Sequence, residues 1–216
     1  MIDVLSVNVG VPAPLGHRQG VKVYSAIGKR PVATGTTMWL SLFNLAGDGQ
    51  ADLSVHGGAD KAVYCYPSEH LAPWEEELGE ELGPAPFGEN LSTAGVLEGD
   101  VCIGDRWRWD QAVIEVCQPR WPCFKLALYR NRADIQIRMR ANGRTGWYLR
   151  VVEPGEVTVG SAIEVIEADP AKLSIYDAHR AMSDRHLSER DLIERLAQHE
   201  SLASEWRIPL KERLDN

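Results

Sequence analysis

The chain has 216 residues, 44% of them hydrophobic and 25% charged, and a net charge of −8. Such proportions belong to a globular protein with one core, or one core and a small appendage, and the negative balance disfavours non-specific binding to nucleic acid or an anionic membrane surface. No stretch approaches the roughly 18 apolar residues that a membrane helix needs, and the opening MIDVLSVNVG lacks the basic and apolar regions of a secretory signal and reads as a strand.

Four cysteines (Cys65, Cys102, Cys117 and Cys123) are too few for a disulfide scaffold, and no CxxC pair occurs. Reduced thiols in a cytoplasmic protein are the expectation. The overall charge hides an asymmetry. Between Gln118 and Arg150 eight basic residues meet one acid, Asp134, so this segment carries +7 and the remainder −15. A basic stripe on an acidic protein suits a small anion more than a duplex; a solvated face paired with acidic neighbours is the plainer alternative.

Taken in order, VLSVNV alternates, which places Leu5, Val7 and Val9 on one face of a strand. SEHLAPWEEELGEEL and, later, ADIQIRMRANG carry helical patterns. VCIGDRWRW, AVIEVC, GWYLRVV, EVTVG and AIEVIEA are β-branched or aromatic runs punctuated by Gly, Asp and Pro. The EPGE stretch at 153–156 predicts a hairpin turn, with Pro154 fixing φ and Gly155 taking positive φ. Many short strands and few helices predict a mainly β domain, a barrel or sandwich, over residues 1–168. The character changes at Asp169-Pro170, because the residue before proline resists helix. LSIYDAHRAM, SERDLIERLAQHE and SLASEWRIPLKERL then predict a three-helix subdomain over 169–216. Ser188 and Asp191 match a capping box, with Leu187 and Leu192 as its staple. A tail this short is marginal alone and should pack on the β domain.

Three loops carry candidate chemistry. In VHGGADKAVYCYP (55–67), consecutive glycines let backbone N–H groups converge on an anion, and Lys61 adds a point charge. His56 and Asp60 lie in the same loop; a Gly-Gly turn with solvated charges is the alternative. In FGENLS (87–92), Gly88 makes a tight turn, Glu89 is an acceptor or base, and Asn90 offers both donor and acceptor; simple turn chemistry would use the same residues. In CQPRWPCFKL (117–126), Pro119 and Pro122 stiffen the backbone around Cys123, with Arg120 and Lys125 near enough in sequence to favour its thiolate. Cys65, Cys102 and Cys117 sit in strand patterns and read as small buried hydrophobes. The spacing matches no common zinc site, and a cysteine hydrolase, with His56 as base, has no supporting signature.

Together GDGQADLSVHGGADKAVYCYP, FGENLS, QPRWPCFKL and GRTGWYLRVVEPG, in this order, resemble the YiiM-type branch of the MOSC family, named for the C-terminal domain of molybdenum cofactor sulfurases. The resemblance runs from SVNVG to about residue 168, and the helical tail is similar to the three-helix domain of that branch. Cys65 departs from the small residue that relatives usually carry there. The resemblance implies a MOSC-type β-barrel with a small C-terminal α-helical subdomain, and a cleft in which Cys123 ligates molybdenum held by a pterin (molybdopterin). Lys29, Lys61, Arg120, Lys125 and Arg144 become candidates for the cofactor's anionic groups, Asn90 for the pterin, and His56, Asp60 and Glu89 for proton relay. A thiolate is a soft ligand, and an anionic cofactor accounts for a basic lining on an acidic protein.

The implied activity is reduction of N-hydroxylated compounds, such as N-hydroxylated base analogues, to amines. It requires an external electron-donor reductase, since no ferredoxin, flavin or nicotinamide motif is visible. The alternative is a sulfur carrier or cofactor carrier that uses the same cysteine without redox turnover; a non-catalytic binding domain is the fallback. Because the recognised loops precede residue 169, the helical tail is not expected to carry the chemistry.

Overall fold

The computed structural model describes residues 1–51, 57–184, 186 and 188–215. Its strands are β1 (Asp3–Val9), β2 (Ala13–Arg18), β3 (Val21–Ser25), β4 (Arg30–Pro31), β5 (Thr37–Leu40), β6 (Val63–Pro67), β7 (Leu91–Ala94), β8 (Arg106–Trp109), β9 (Ala112–Pro119), β10 (Trp147–Glu153), β11 (Gly155–Thr158) and β12 (Glu164–Glu167). Helices are α1 (Leu71–Leu78), α2 (Phe124–Arg130), α3 (Ile135–Asn142), α4 (Ile175–Ser183), α5 (Arg190–Gln198) and α6 (Ser204–Leu214).

Eight strands form one curled sheet in the order β12-β8-β9-β10-β6-β7-β1-β4, antiparallel except for the β6–β7 pair. Paired backbone bonds between Ile2 and Ile163, just ahead of β1 and β12, bring the β12 end of the sheet back onto β1, so the sheet curls into a half-barrel. β9 is buried at all eight positions, as a strand inside a two-sided core must be. Trp107 and Trp147 meet edge to face at 6.1 Å in this core.

Two local expectations change. A register shift between Val4 and Ser6 opposite β7 resets the alternation of β1, so Val4 and Val7 point inward and Leu5 is 61% exposed. The EPGE turn joins no hairpin: β11 leaves the main sheet and pairs with β5. Gly155 is needed for close approach rather than for φ, because a Cβ there would sit 2.8 Å from the Gln111 backbone.

The three tail helices share the main core, to which Leu173, Ile175, Ala178, Leu196, Leu202 and Trp206 all contribute. α4 carries a capping box in which Ser174 and Asp177 bond each other's backbone N–H. The expected Ser188–Asp191 box does not form; the N-cap of α5 is Glu189, without a side-chain cap bond, and Leu187 lies outside the described residues. A second apolar cluster, including Tyr64, Tyr66, Trp74, Phe87, Leu126 and Met139, supports α1, α2 and α3.

Candidate functional site

Above that second cluster opens a solvent-accessible cleft. β9 delivers its central wall. After Pro119 the chain turns through Arg120, Trp121, Pro122 and Cys123 and enters α2, with Cys123 in extended conformation as the N-cap residue. The half-buried Cys123 borders the cleft beside Arg120, Trp121 and Lys125, and Lys29, Lys61, Tyr64, Asn90 and Tyr148 complete its polar lining.

Arg120 is the most telling of these groups. Its guanidinium is 6% exposed, lies 4.9 Å from the Tyr64 ring centroid and donates to the Met139 sulfur at 3.4 Å. Among the described residues no carboxylate lies within ion-pair distance of it. A buried cation without a counter-ion costs several kcal/mol unless an anion joins it, so Arg120 marks where negative charge fits. Lys125 is likewise buried on the same wall. Lys29 is different: it pairs with Asp48 at 2.5 Å, and burial lowers its pKa against the pull of that carboxylate. Lys61 reaches across the rim to Glu205 of α6 at 2.7 Å.

The FGENLS loop is structural as well as adjacent. Gly88 has φ 82°, and a Cβ there would lie 2.5 Å from Ile27 Cγ1. Asn90 exchanges bonds with the Tyr64 backbone and donates its amide to Asn8 O at 3.2 Å and to Asp48 Oδ2 at 2.9 Å. Its side chain thus ties β6, β1 and the Asp48 loop together at the cleft floor. Glu89 points inward and is fully buried, accepting from Phe87 N at 3.0 Å and Ser92 Oγ at 3.3 Å. Burial raises its pKa to about 7 despite those bonds.

Of the ten residues singled out from sequence, Lys29, Lys61, Asn90, Arg120, Cys123 and Lys125 converge on this cleft. Glu89 sits behind the lining. Asp60 faces away, paired with Arg150 at 2.9 Å. Arg144 lies elsewhere, bound to Glu77 at 2.7 Å and stacked near Trp74. His56 lies outside the described residues. Most of the basic stripe is spent outside the cleft: Arg130 and Arg138 pair with Glu80 and Asp134, and Arg132 donates to Leu78 O. Arg140 braces the cysteine loop from behind, donating to Pro122 O at 2.6 Å beneath the Trp121 ring.

Sequence reasoning passed over Asp48, which holds both Lys29 and Asn90, and the tail residues Glu205 and Trp206. Asp48 stood in the GDGQ motif, a usable signal; nothing local marks the tail residues. Trp206 packs edge to face on Trp121 at 5.7 Å. The tail therefore packs against Trp121 and Lys61 at the rim, while none of its residues lines the cleft itself.

No three described His, Cys, Asp or Glu side chains cluster as a metal site of their own, so a metal here would need ligands beyond the Cys123 thiol. A soft sulfur beside buried cations fits an anionic metal complex that brings its own ligands. No described helix is long and apolar enough to cross a membrane.

The MOSC domain profile matches residues 52–164. The uncharacterized protein YflK of Bacillus subtilis is 40% identical over 213 residues, 99% of this chain and 95% of its own length. Protein YiiM of Escherichia coli is 44% identical over 132 residues, 60% of this chain and 59% of that protein. A protein of Gibberella moniliformis named as a reductase is 33% identical over 155 residues, 70% of this chain and only 28% of its own length. The crystal structure of YiiM from Geobacillus stearothermophilus superposes with a TM-score of 0.82 at 30% identity, covering 99% of this chain and all of that one. Profile, relatives and fold agree: the chain belongs to the MOSC domain family and is YiiM-like within it.

Proposed function

We propose that this protein binds the molybdenum cofactor in the cleft and reduces N-hydroxylated compounds to the corresponding amines. The observation that carries the proposal is Arg120, a buried guanidinium without a carboxylate partner among the described residues, beside the Cys123 thiol. When bound, the cofactor would supply a centre that exchanges electrons in pairs, which N–OH reduction needs. Cys123 would hold the metal through its sulfur. Arg120 and Lys125 would hold the pterin's anionic groups, and Lys61 would close the rim against them. Tyr64 and Tyr148 would keep those contacts dry, which strengthens them. Asn90 acts on the floor, where its bonds to Tyr64, Asn8 and Asp48 fix the lining.

In balance, two electrons and two protons cleave the N–O bond; an N–H bond forms on the amine and water leaves. The electrons come from an external electron-donor reductase. Glu89, with its pKa raised by burial to about 7, holds a proton near neutrality directly behind the cleft, where a general acid is useful. The relative named as a reductase favours redox turnover over simple carriage of cofactor or sulfur.

The test is metal analysis of protein purified from a host that makes molybdenum cofactor. Stoichiometric molybdenum in the wild type and its loss in Cys123→Ser are expected. A wild-type protein that purifies without molybdenum from such a host overturns the proposal.

A further inference from the structure

The Glu89 carboxylate ends a chain of hydrogen-bonded side chains that runs from it to β1. Asn8 Nδ2 donates to Ser6 Oγ at 3.0 Å, and Ser6 Oγ donates to Ser92 Oγ at 3.0 Å. Ser92 Oγ in turn donates to Glu89 Oε1 at 3.3 Å. Strand pairing aligns the two hydroxyls, because Ser6 of β1 lies opposite Ser92 of β7, next to the Val7–Leu91 pair. Val7 and Leu91 both enter the main core, so by alternation the serines face the other side of the sheet.

The two ends of the chain differ in their surroundings. Glu89 is fully buried, while Phe87, Gly88 and Asn90 around it line the cleft. Ser6 is partly exposed. A buried acid that gives up a proton must be refilled, and bulk water does not reach Glu89. The Phe87 N–H that also bonds to it cannot pass a proton on, because an amide does not release one near neutrality. A serine hydroxyl can, since it donates one hydrogen while its lone pairs accept another. The Asn8 amide sets the polarity: it fills one lone pair of Ser6 Oγ and leaves the Ser6 hydrogen directed at Ser92.

We propose that Ser6 and Ser92 form a proton-entry path that refills Glu89 from the β1 side of the sheet, apart from the cleft. Its use rests on the reduction proposed above, which consumes protons at the cleft; the transfer itself does not. In one passage, a solvent hydronium ion gives a proton to Ser6 Oγ, the Ser6 hydrogen moves to Ser92 Oγ, and the Ser92 hydrogen moves to Glu89 Oε1. Both hydroxyls end as they began, water is released, and a carboxylate becomes a carboxylic acid. Burial raises the Glu89 pKa to about 7 against the bonds from Phe87 and Ser92 and the attraction of Arg120, so the group can take up and return a proton near neutrality. Entry from behind leaves the anion contacts on the other side of Glu89 dry, where they are strongest.

Infrared spectroscopy of the full-length protein, with or without molybdenum, tests this. Below the Glu89 pKa of about 7, its protonated carboxyl should give a carbonyl stretch that is missing in Glu89→Gln and that shifts as the hydrogen exchanges in heavy water. Ser92→Ala and Ser6→Ala should each slow that shift by about a hundredfold, the low end of what a positioned proton-transfer group supplies. Ser6→Thr keeps the hydroxyl and suits a strand, so it should exchange at the wild-type rate. Should Ser92→Ala fail to fold, Ser6→Ala decides alone. A wild-type rate in folded Ser6→Ala, or equal slowing in Ser6→Ala and Ser6→Thr, overturns the proposal, as does a wild type without the Glu89 band. None of these readings involves molybdenum or substrate, so their failure leaves the cofactor assignment standing.

Discussion

The indole of Trp206, on the last helix, meets that of Trp121 with ring centroids 5.7 Å apart and planes inclined at 79°. Trp121 is also flanked by His179 of α4 at 6.0 Å and by the Arg140 guanidinium at 4.7 Å. Every one of these partners is distant in sequence, and two belong to the tail. The residue two positions before Cys123 is therefore held from behind by elements that bear no recognised motif. Trp206→Ala should cost about 3–5 kcal/mol, the usual scale for a buried aromatic truncated to alanine, and should speed alkylation of Cys123 as its loop loosens. Chemical denaturation and labelling kinetics read the two effects. Ending the chain near Ala168 removes the same support together with Leu173, Ile175 and Leu196 from the shared core, and should give insoluble protein.

Under the proposed function, burial decides which of the basic residues would hold the cofactor's anionic groups. Arg120→Ala should weaken cofactor retention by about 1–3 kcal/mol, the range for a charge-assisted hydrogen bond. Arg138→Ala should have no effect, because Arg138 is exposed and serves a surface pair with Asp134. Arg140 is expected to fall between: it sits in a helical pattern remote from the loops in sequence, yet it braces Pro122. Molybdenum content after dialysis measures all three, and equal losses would indicate a diffuse field instead of a built site.

How much of this was legible from the sequence follows from the range of each interaction. HGGADK, FGENLS and QPRWPCFKL are local motifs, and Lys61, Asn90, Arg120, Cys123 and Lys125 meet in one cleft because their strands are neighbours. Arg144 stood within the GRTGWYLRVVEPG motif, yet its fate was set by Glu77 on α1, a partner 67 positions away. Leu5 misled because alternation cannot reveal a bulge, whose extra residue shows only against the partner strand. The capping box sat in LSIYD rather than at Ser188; both sites fit the same four-residue pattern, and packing chose between them. α2 was overlooked because prolines and cysteine dominate its approach, although Phe124 to Arg130 contains sound helix formers.

Glu89 gives the protein a pH signature of definite sign. Its pKa is raised by burial from 4.5 to about 7, so between those values the folded state binds the proton more readily than the unfolded chain. Its contribution to stability is then lost as pH rises through that window, on the order of 1.4 kcal/mol for each pH unit at most. Glu89→Gln keeps an acceptor for Phe87 N without the charge. The variant should gain stability over the wild type as pH rises from 5 to 8, with little difference at the acid end. Urea midpoints at several pH values measure this; a constant difference would mean that Glu89 does not titrate in that range.

The four cysteines should separate cleanly, since only one borders the cleft. Cys65 and Cys117 are fully buried; burial raises the first to about 12 and the second further still. Cys102 is partly exposed, but burial and then the nearby Asp105 carboxylate raise it to about 11. All three should stay protonated and slow to alkylate near neutral pH. Cys123, half-buried on an open cleft among cations, should react first, and bound cofactor should protect it. Cys123→Ser should fold normally and lose molybdenum, because a hydroxyl is a poor substitute for a soft thiolate ligand. Cys117→Ser should instead cost stability, about 1–2 kcal/mol, since its thiol lies in the core and donates to the carbonyls of Asp60 and Tyr148. Mass-spectrometric labelling and metal content of the four serine variants check each outcome. Full molybdenum content in Cys123→Ser would leave Pro119 to Lys125 as a rigid turn and remove the metal-ligand role from its sulfur.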